Sequence, residues 1–172
     1  SHLLGLYPGN AITDKTPELI EACKVSLLDR GFGQKSGANG SGWGKANKVN
    51  LWARAKDGNR AYSMLRELIN KNIAPNLWDF HPPYQMDGNC GYTSGVCEML
   101  CYSSDDIIEL LPALPEEWKN GSVKGLCARG GYSLDFTWEN GKIKSLSVYS
   151  SCGKKTARIK TGDEIKTVKT VG

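Results

Sequence analysis

The sequence predicts an α+β chain in two parts, helices first and strands afterwards. Apolar residues recur at helical spacing up to about residue 101, and from Ile107 onward the period falls to two. The punctuation changes with it, from capping residues in the first part to Asn-Gly, Gly-Gly and Gly-Asp pairs in the second. Helices followed by strands imply either one α+β domain or two separate domains.

Thr16 can cap a first helix, with Pro17 at its first position and Glu18 in its first turn. Leu19, Ile20, Cys23 and Leu27 follow helical spacing and Gly31 stops it. Small residues from Gly37 to Gly42 make a loop. Trp43, Ala46, Val49 and Ala53 then form an apolar stripe on a second helix, about Trp43 to Ala55, with Trp52 in its core. Asp57 caps a third helix whose Ala61, Leu65, Leu68 and Ile69 face inward and which closes at Asn70 to Asn72. A fourth is expected from about Tyr92 to Cys101, weakened by glycine at its start. Between the last two lies the run His81-Pro82-Pro83-Tyr84-Gln85-Met86-Asp87-Gly88-Asn89. Its prolines hold φ at about −65° and remove two donors, and Asp-Gly-Asn supplies a turn, so the run reads as a stiff loop that presents side chains.

Six short strands are expected after that: Ile107 to Leu111, Gly121 to Ala128, Tyr132 to Trp138, Ile143 to Tyr149, Thr156 to Lys160 and Ile165 to Val168. Glu139-Asn140-Gly141-Lys142 is the clearest hairpin turn. Tyr132, Trp138 and Tyr149 alternate as core residues would, and Trp78 and Trp118 are also assigned to packing.

Composition is that of an ordinary folded chain of 172 residues, 40% hydrophobic and 23% charged, with formal net charge +4. Lys154, Lys155, Lys160, Lys166 and Lys169 alternate with apolar or hydroxylated residues, the pattern of solvated edge strands and not of a nucleic-acid stripe. No apolar run approaches the ~20 residues of a membrane span, so neither nucleic acid nor membrane is an expected partner. The six cysteines show no CxxC and no Cys/His cluster, so no metal or other cofactor is expected. Cys97 and Cys101, four apart on the expected helix, suit a buried stripe, and free core thiols are the default reading.

Several motifs in order carry a family resemblance. They are Ser1-His2-Leu3-Leu4-Gly5-Leu6-Tyr7-Pro8-Gly9, Gly42-Trp43-Gly44-Lys45-Ala46, Leu51-Trp52-Ala53-Arg54, Asp57-Gly58, and Asp79-Phe80 with the proline loop and Gly91 after it. Glu109-Leu110-Leu111-Pro112-Ala113-Leu114-Pro115 and Gly121-Ser122-Val123-Lys124-Gly125-Leu126 continue the pattern. Together they resemble the C-terminal part of the inverting α-L-fucosidases of glycoside hydrolase family 95, over about residues 1 to 140. Gly44, Asn47 and Cys90 depart from the family pattern, and none of the three removes an ionisable group.

The resemblance implies the C-terminal portion of an (α/α)6 toroid over residues 1–105, then a small antiparallel β-sandwich over 106–172. It also implies a fragment that begins inside a motif, with the general-acid glutamate upstream. Four helices cannot close a toroid, so their apolar surfaces would be exposed and open to self-association. The implied activity is removal of terminal α-1,2-linked α-L-fucose from a fucosylated glycan with inversion. α-L-Galactose is the near-isosteric alternative substrate, and a non-catalytic carbohydrate-binding or bracing module is the alternative class. A bacterial source is expected, with secreted, periplasmic and cytoplasmic locations left open.

Inverting hydrolysis needs a proton donor for the leaving oxygen and a base for water on the opposite face, commonly two carboxyl groups roughly 6.5–9.5 Å apart. Asp87 is the carboxylate expected on the base side. The resemblance implies that it orients upstream asparagines which hold the attacking water; the residues alone allow it to be a turn cap. His2 and His81, the two histidines, fall in motifs that line the sugar site in relatives. Trp43 suits the apolar face of a sugar, with core packing as its rival reading. Gln85 and Asn89 could contact substrate or equally fix their own loop. Arg54 and Glu98 are expected on solvated helix faces, without a role.

Overall fold

Helices precede strands in the computed structural model, which describes residues 3–31, 41–80, 84–104 and 106–171. The helices are α1 (Pro17–Asp29), α2 (Gly42–Arg54), α3 (Gly58–Asn72) and α4 (Met86–Leu100). Asp57 caps α3 as its position predicts, accepting from the Arg60 N–H at 3.0 Å, and Ser41 caps α2 by accepting from the Gly44 N–H at 3.3 Å. Thr16 does not cap α1. Its hydroxyl turns back and donates to the Thr13 carbonyl at 3.1 Å, which leaves Pro17 to set the first turn.

α2 lies between α3 and α4 and is buried on most of its circumference, polar residues included. Its buried lysines and asparagine have hydrogen-bond partners, as low dielectric requires. Lys45 Nζ donates to Asn72 Oδ1 at 2.7 Å, and Asn50 Nδ2 donates to the Ala46 and Gly91 carbonyls at 2.9 and 2.8 Å. Lys48 Nζ donates to the Gly31 carbonyl at 2.7 Å, just past the end of α1. Burial, with Arg30 and Lys45 nearby, holds this ammonium below its ordinary value. Gly91 and Gly95 of α4 lie against Ala46 and Val49, and a methyl at either would collide with α2. The glycines expected to weaken α4 therefore let it approach the hub, and packing offsets a propensity cost of about 1 kcal/mol each.

α4 begins at Met86, well before Tyr92. Asp87, Gly88 and Asn89 are its first turn and not part of a loop. Burial of a glycine face against α2 outweighs the local turn chemistry on which the loop reading rested.

α4 runs directly into the strands: β1 (Cys101–Ser103), β2 (Ile108–Leu110), β3 (Gly121–Ala128), β4 (Tyr132–Glu139), β5 (Lys142–Ser150), β6 (Thr156–Thr161) and β7 (Glu164–Lys169). β1 is an addition to the six expected; three residues are too few to show a period. One sheet has the order β1-β2-β6-β7 and the other β3-β4-β5. Pairing is antiparallel except for β2 with β6, which is parallel, so the expectation of a wholly antiparallel arrangement is corrected. Asn140 and Gly141 both take positive φ, 49° and 72°, which is the hairpin turn the Asn-Gly pair predicts.

The two sheets share a core of Ile108, Leu110, Leu134, Phe136, Trp138, Val148, Ala157 and Ile159, while α1 to α4 share another around Val49, Trp52, Met64 and Met99. Val96 and Trp118 pack against both. A charge quartet also joins the halves. Lys56 Nζ lies 2.6 Å from Asp14 Oδ2 and 2.9 Å from Glu109 Oε1, and Lys160 Nζ lies 2.9 and 3.3 Å from the same two atoms. Burial works against the Asp14 charge, but hydrogen bonds from Lys160 and Lys56 outweigh it and hold the carboxyl below its ordinary value. Burial likewise opposes the Lys160 ammonium, which Asp14 and Glu109 nonetheless hold above its ordinary value.

All six cysteines are free, but the core-thiol reading holds only for Cys23; Cys90, Cys97, Cys127 and Cys152 are exposed. Cys101 is half-buried, and burial, aided by Glu98, Cys97 and Glu109, pushes its thiol up to about 12. The 97/101 spacing failed because the helix ends between them and the strand turns the second side chain elsewhere.

Candidate active site

The first turns of α2 and α4 lie side by side, and a buried aspartate sits between them. Asp79 is 2% exposed, and its carboxylate rests against Gly42 in the first turn of α2 and Gly88 in the first turn of α4. A methyl group at either glycine would overlap that carboxylate. The N-terminal turns of two helices present backbone N–H groups and the positive ends of their dipoles, which favours a carboxylate there. Sequence reading included Asp79 in a motif without giving it a role. The available signal was a pair of glycines at two helix starts, but their proximity is a tertiary fact.

Asn89 fixes the segment that carries Asp79. Its Oδ1 accepts from the Asp79 N–H at 3.1 Å and its Nδ2 donates to the Leu77 carbonyl at 2.6 Å. Of the two readings open for Asn89, the structure therefore supports the backbone brace. Gln85 occupies the N-cap position of α4 without a capping bond, and its Oε1 is buried with no hydrogen-bond partner among the described residues.

Asp87 stands exposed in the first turn of α4, where it adds a negative charge at the positive end of the helix. Its side chain makes no hydrogen bond or ion pair among the described residues, so it does not act as a turn cap. Trp43 is 46% exposed in the first turn of α2, with its indole edge over Gly91. Gly91 is one turn along from Asp87, so the indole and the carboxylate share a face of α4. His2 and His81 lie outside the described residues.

Three sequence expectations change here. Trp78, assigned to packing, is 58% exposed and lies against Tyr84 with ring centroids 4.9 Å apart. Arg54 and Glu98, expected on solvated faces, form an ion pair of 3.4 Å with side chains 8% and 23% exposed. The pair is too poorly aligned for a hydrogen bond, and burial raises the Glu98 carboxyl against the opposing pull of Arg54 and Arg129. A helical wheel drawn on α2 or α4 alone cannot show this, because Tyr102 of β1 covers Arg54 from outside the helices, 4.4 Å from ring centre to guanidinium.

The model of the glycosyl hydrolase family 95 catalytic domain matches residues 1–100, and that of the glycoside hydrolase family 95 C-terminal domain matches 102–171. The chain belongs to glycoside hydrolase family 95. Among curated relatives, alpha-L-fucosidase 2 of Arabidopsis thaliana is 37% identical over 163 residues, covering 87% of this chain and 19% of the relative. A protein named probable alpha-fucosidase A from Aspergillus oryzae is 34% identical, covering 81% of this chain and 22% of its own length. Its namesake from Aspergillus niger is 32% identical, covering 93% and 22%. The chain thus spans about a fifth of the length of the curated relatives it matches. These relatives are plant and fungal, and give no support to a bacterial source.

Within this family 95 chain the carboxylates nearest to hand do not complete a pair with Asp87. Glu98 lies three turns further along α4, about 16 Å at 1.5 Å per residue, beyond the roughly 6.5–9.5 Å that an inverting pair spans. Glu109 is buried in the charge quartet, and Asp79 is sealed beneath the helix starts. The arrangement presents an exposed carboxylate and a half-exposed aromatic face side by side at the start of α4.

Proposed function

We propose that this chain supplies the base-side wall of the sugar site in an inverting glycoside hydrolase that removes terminal α-1,2-linked α-L-fucose from glycans. The observation that carries the reading is the exposed Asp87 carboxylate at the start of α4, with the Trp43 indole one turn along the same face. Names of relatives that specify fucosidases support the substrate class. Asp87 orients upstream amides that hold the attacking water, so that water's proton has an acceptor as the transition state forms. Trp43 stacks on the apolar face of the fucose, His2 and His81 bond its hydroxyls, and Gln85 turns its amide to the sugar when bound. Asn89 keeps the first turn of α4 in place.

In this proposal residues 1–105 are the C-terminal portion of an (α/α)6 toroid and 106–172 a β-sandwich that braces it, with β1 lent by the first portion to the sheet of the second. α-L-Galactose, which differs at one exocyclic carbon, is an alternative substrate of the same site. Asp87→Asn in the full-length protein lowers kcat by about 10²–10⁴ while fucose binding survives; wild-type turnover would refute the assignment. The 172-residue chain alone releases no measurable fucose from 2′-fucosyllactose, for want of a proton donor within reach of Asp87. Release that depends on Asp87 would require a second carboxylate here, with Glu98 and Glu109 the first to test.

A further inference from the structure

We propose that Asp79 is a positioning residue for the reaction: its buried carboxylate clamps the first turns of α2 and α4 together and so fixes where Asp87 stands against the substrate. That role rests on the base-side reading of Asp87, which it deepens.

The contacts run through the chain neighbours of the two site residues. Gly88, which follows Asp87, and Gly42, which precedes Trp43, are the glycines against which the Asp79 carboxylate lies. Asn89, two residues after Asp87, accepts from the Asp79 N–H at 3.1 Å. Asp79 therefore meets α4 both through its side chain and through its backbone, each time within two residues of Asp87. Its own segment is anchored on α3. Asp79 pairs with Ile73 in an antiparallel bridge just past that helix, and the Phe80 N–H donates to the carbonyl of Asn72, the last residue of α3. Asn72 Oδ1 in turn accepts from Lys45 Nζ of α2 at 2.7 Å. The clamp thus closes a ring of three helices, with Asp87 and Trp43 on its rim.

Electrostatics require the charge of Asp79 as well as its shape. Two helix N-termini side by side bring together partial positive charges of about half a unit each, which repel. Ser41 caps α2, but Gln85 makes no capping bond at the start of α4 among the described residues. A carboxylate between the two starts attracts both, and the glycines let it come closer than a side chain at either position would permit. An amide of the same shape has no net charge to offset the repulsion. In Asp79→Asn the starts therefore move apart and Asp87 is carried out of line, and a displacement of about 1 Å can cost on the order of a hundredfold in rate.

The test is a double-mutant cycle on kcat for 2′-fucosyllactose in the full-length protein, at a temperature where circular dichroism shows every variant folded. Asp79→Asn should lower kcat about tenfold to a hundredfold. In an Asp87→Asn background the same change should lower kcat by less than about twofold, because the group it positions is already gone. Gly42→Ala presses on the same carboxylate from α2 and leaves its charge in place. It should repeat the pattern with a smaller first loss, and it decides the matter if Asp79→Asn does not fold. Equal losses in both backgrounds would overturn the proposal, since a brace that only supports the fold lowers the active fraction whether or not Asp87 is present. No loss in the wild-type background would overturn it too. Asp87→Asn alone reports on the base assignment: if it turns over at the wild-type rate, or if the wild type releases no fucose, that reading fails and the positioning role with it. An impaired Asp87→Asn beside equal losses removes the positioning role and leaves the base assignment standing.

Discussion

The helical and strand halves of this molecule treat their apolar side chains differently. Of the large hydrophobic residues exposed among those described, eleven precede Cys101 and only Tyr149, Ile165 and Val171 follow it. The strand half closes its own core because two sheets bury facing residues such as Phe136, Val148 and Ile159 between them. The helical half has a hub, α2, but leaves Leu19, Val25 and Leu28 of α1 and Ile69 of α3 in water. The half that completes itself carries no candidate chemistry, and the half left open carries all of it.

Tryptophan truncation should show the largest contrast. Trp138→Ala empties a site in the strand core, removes the indole N–H bond of 2.8 Å to the Trp118 carbonyl, and should cost about 3–5 kcal/mol in urea unfolding. Trp43→Ala, at a half-exposed indole, should cost under about 1 kcal/mol and act on KM for the fucosylated substrate instead. Similar losses at both positions would mean that the helical half is as complete as the strand half.

The joint between the halves and the joint between the helix starts should respond next. Gly88→Ala drives a methyl into the buried Asp79 carboxylate and should cost about 1–3 kcal/mol, lowering kcat along with it because the first turn of α4 carries Asp87. A variant with normal stability and turnover would show that the helix starts can separate freely. Glu109→Gln leaves two lysines sharing the single carboxylate of Asp14, and should cost about 1–3 kcal/mol without changing turnover.

The smallest effect is a pair of opposed pH dependences. Asp14 is held below its ordinary value, so its contribution is present above that of the unfolded chain and is lost as pH falls through the depressed value. Asp14→Asn should therefore destabilise at pH 7 and lose its effect in acid. Glu98 is held above its ordinary value, so its contribution is full below the unfolded value and is lost as pH rises through the raised one. Glu98→Gln should compare best with wild type at pH 7 and worst near pH 4, in thermal unfolding curves taken across that range. A common sign for both variants would mean that Arg54 satisfies Glu98 as fully as the lysines satisfy Asp14.

Periodicity, caps and turn pairs were enough to find all four helices, six of the seven strands, the Asn140-Gly141 hairpin and the buried Trp52, because each depends on residues within about ten positions of one another. The family was legible for the same reason: its motifs are short and ordered. Asp87 and Trp43 could be named as candidates from sequence; that they share a face of α4 could not. Only the tertiary structure decided the parallel pairing of β2 with β6, the early start of α4, the burial of Asp79 between Gly42 and Gly88, the pairing of Arg54 with Glu98 and the exposure of Trp78. Each of these is settled by what another element does to a residue, by burying it, pairing it or leaving it in water. Local patterns record which side chains a segment offers, and packing decides which of them remain available to a ligand.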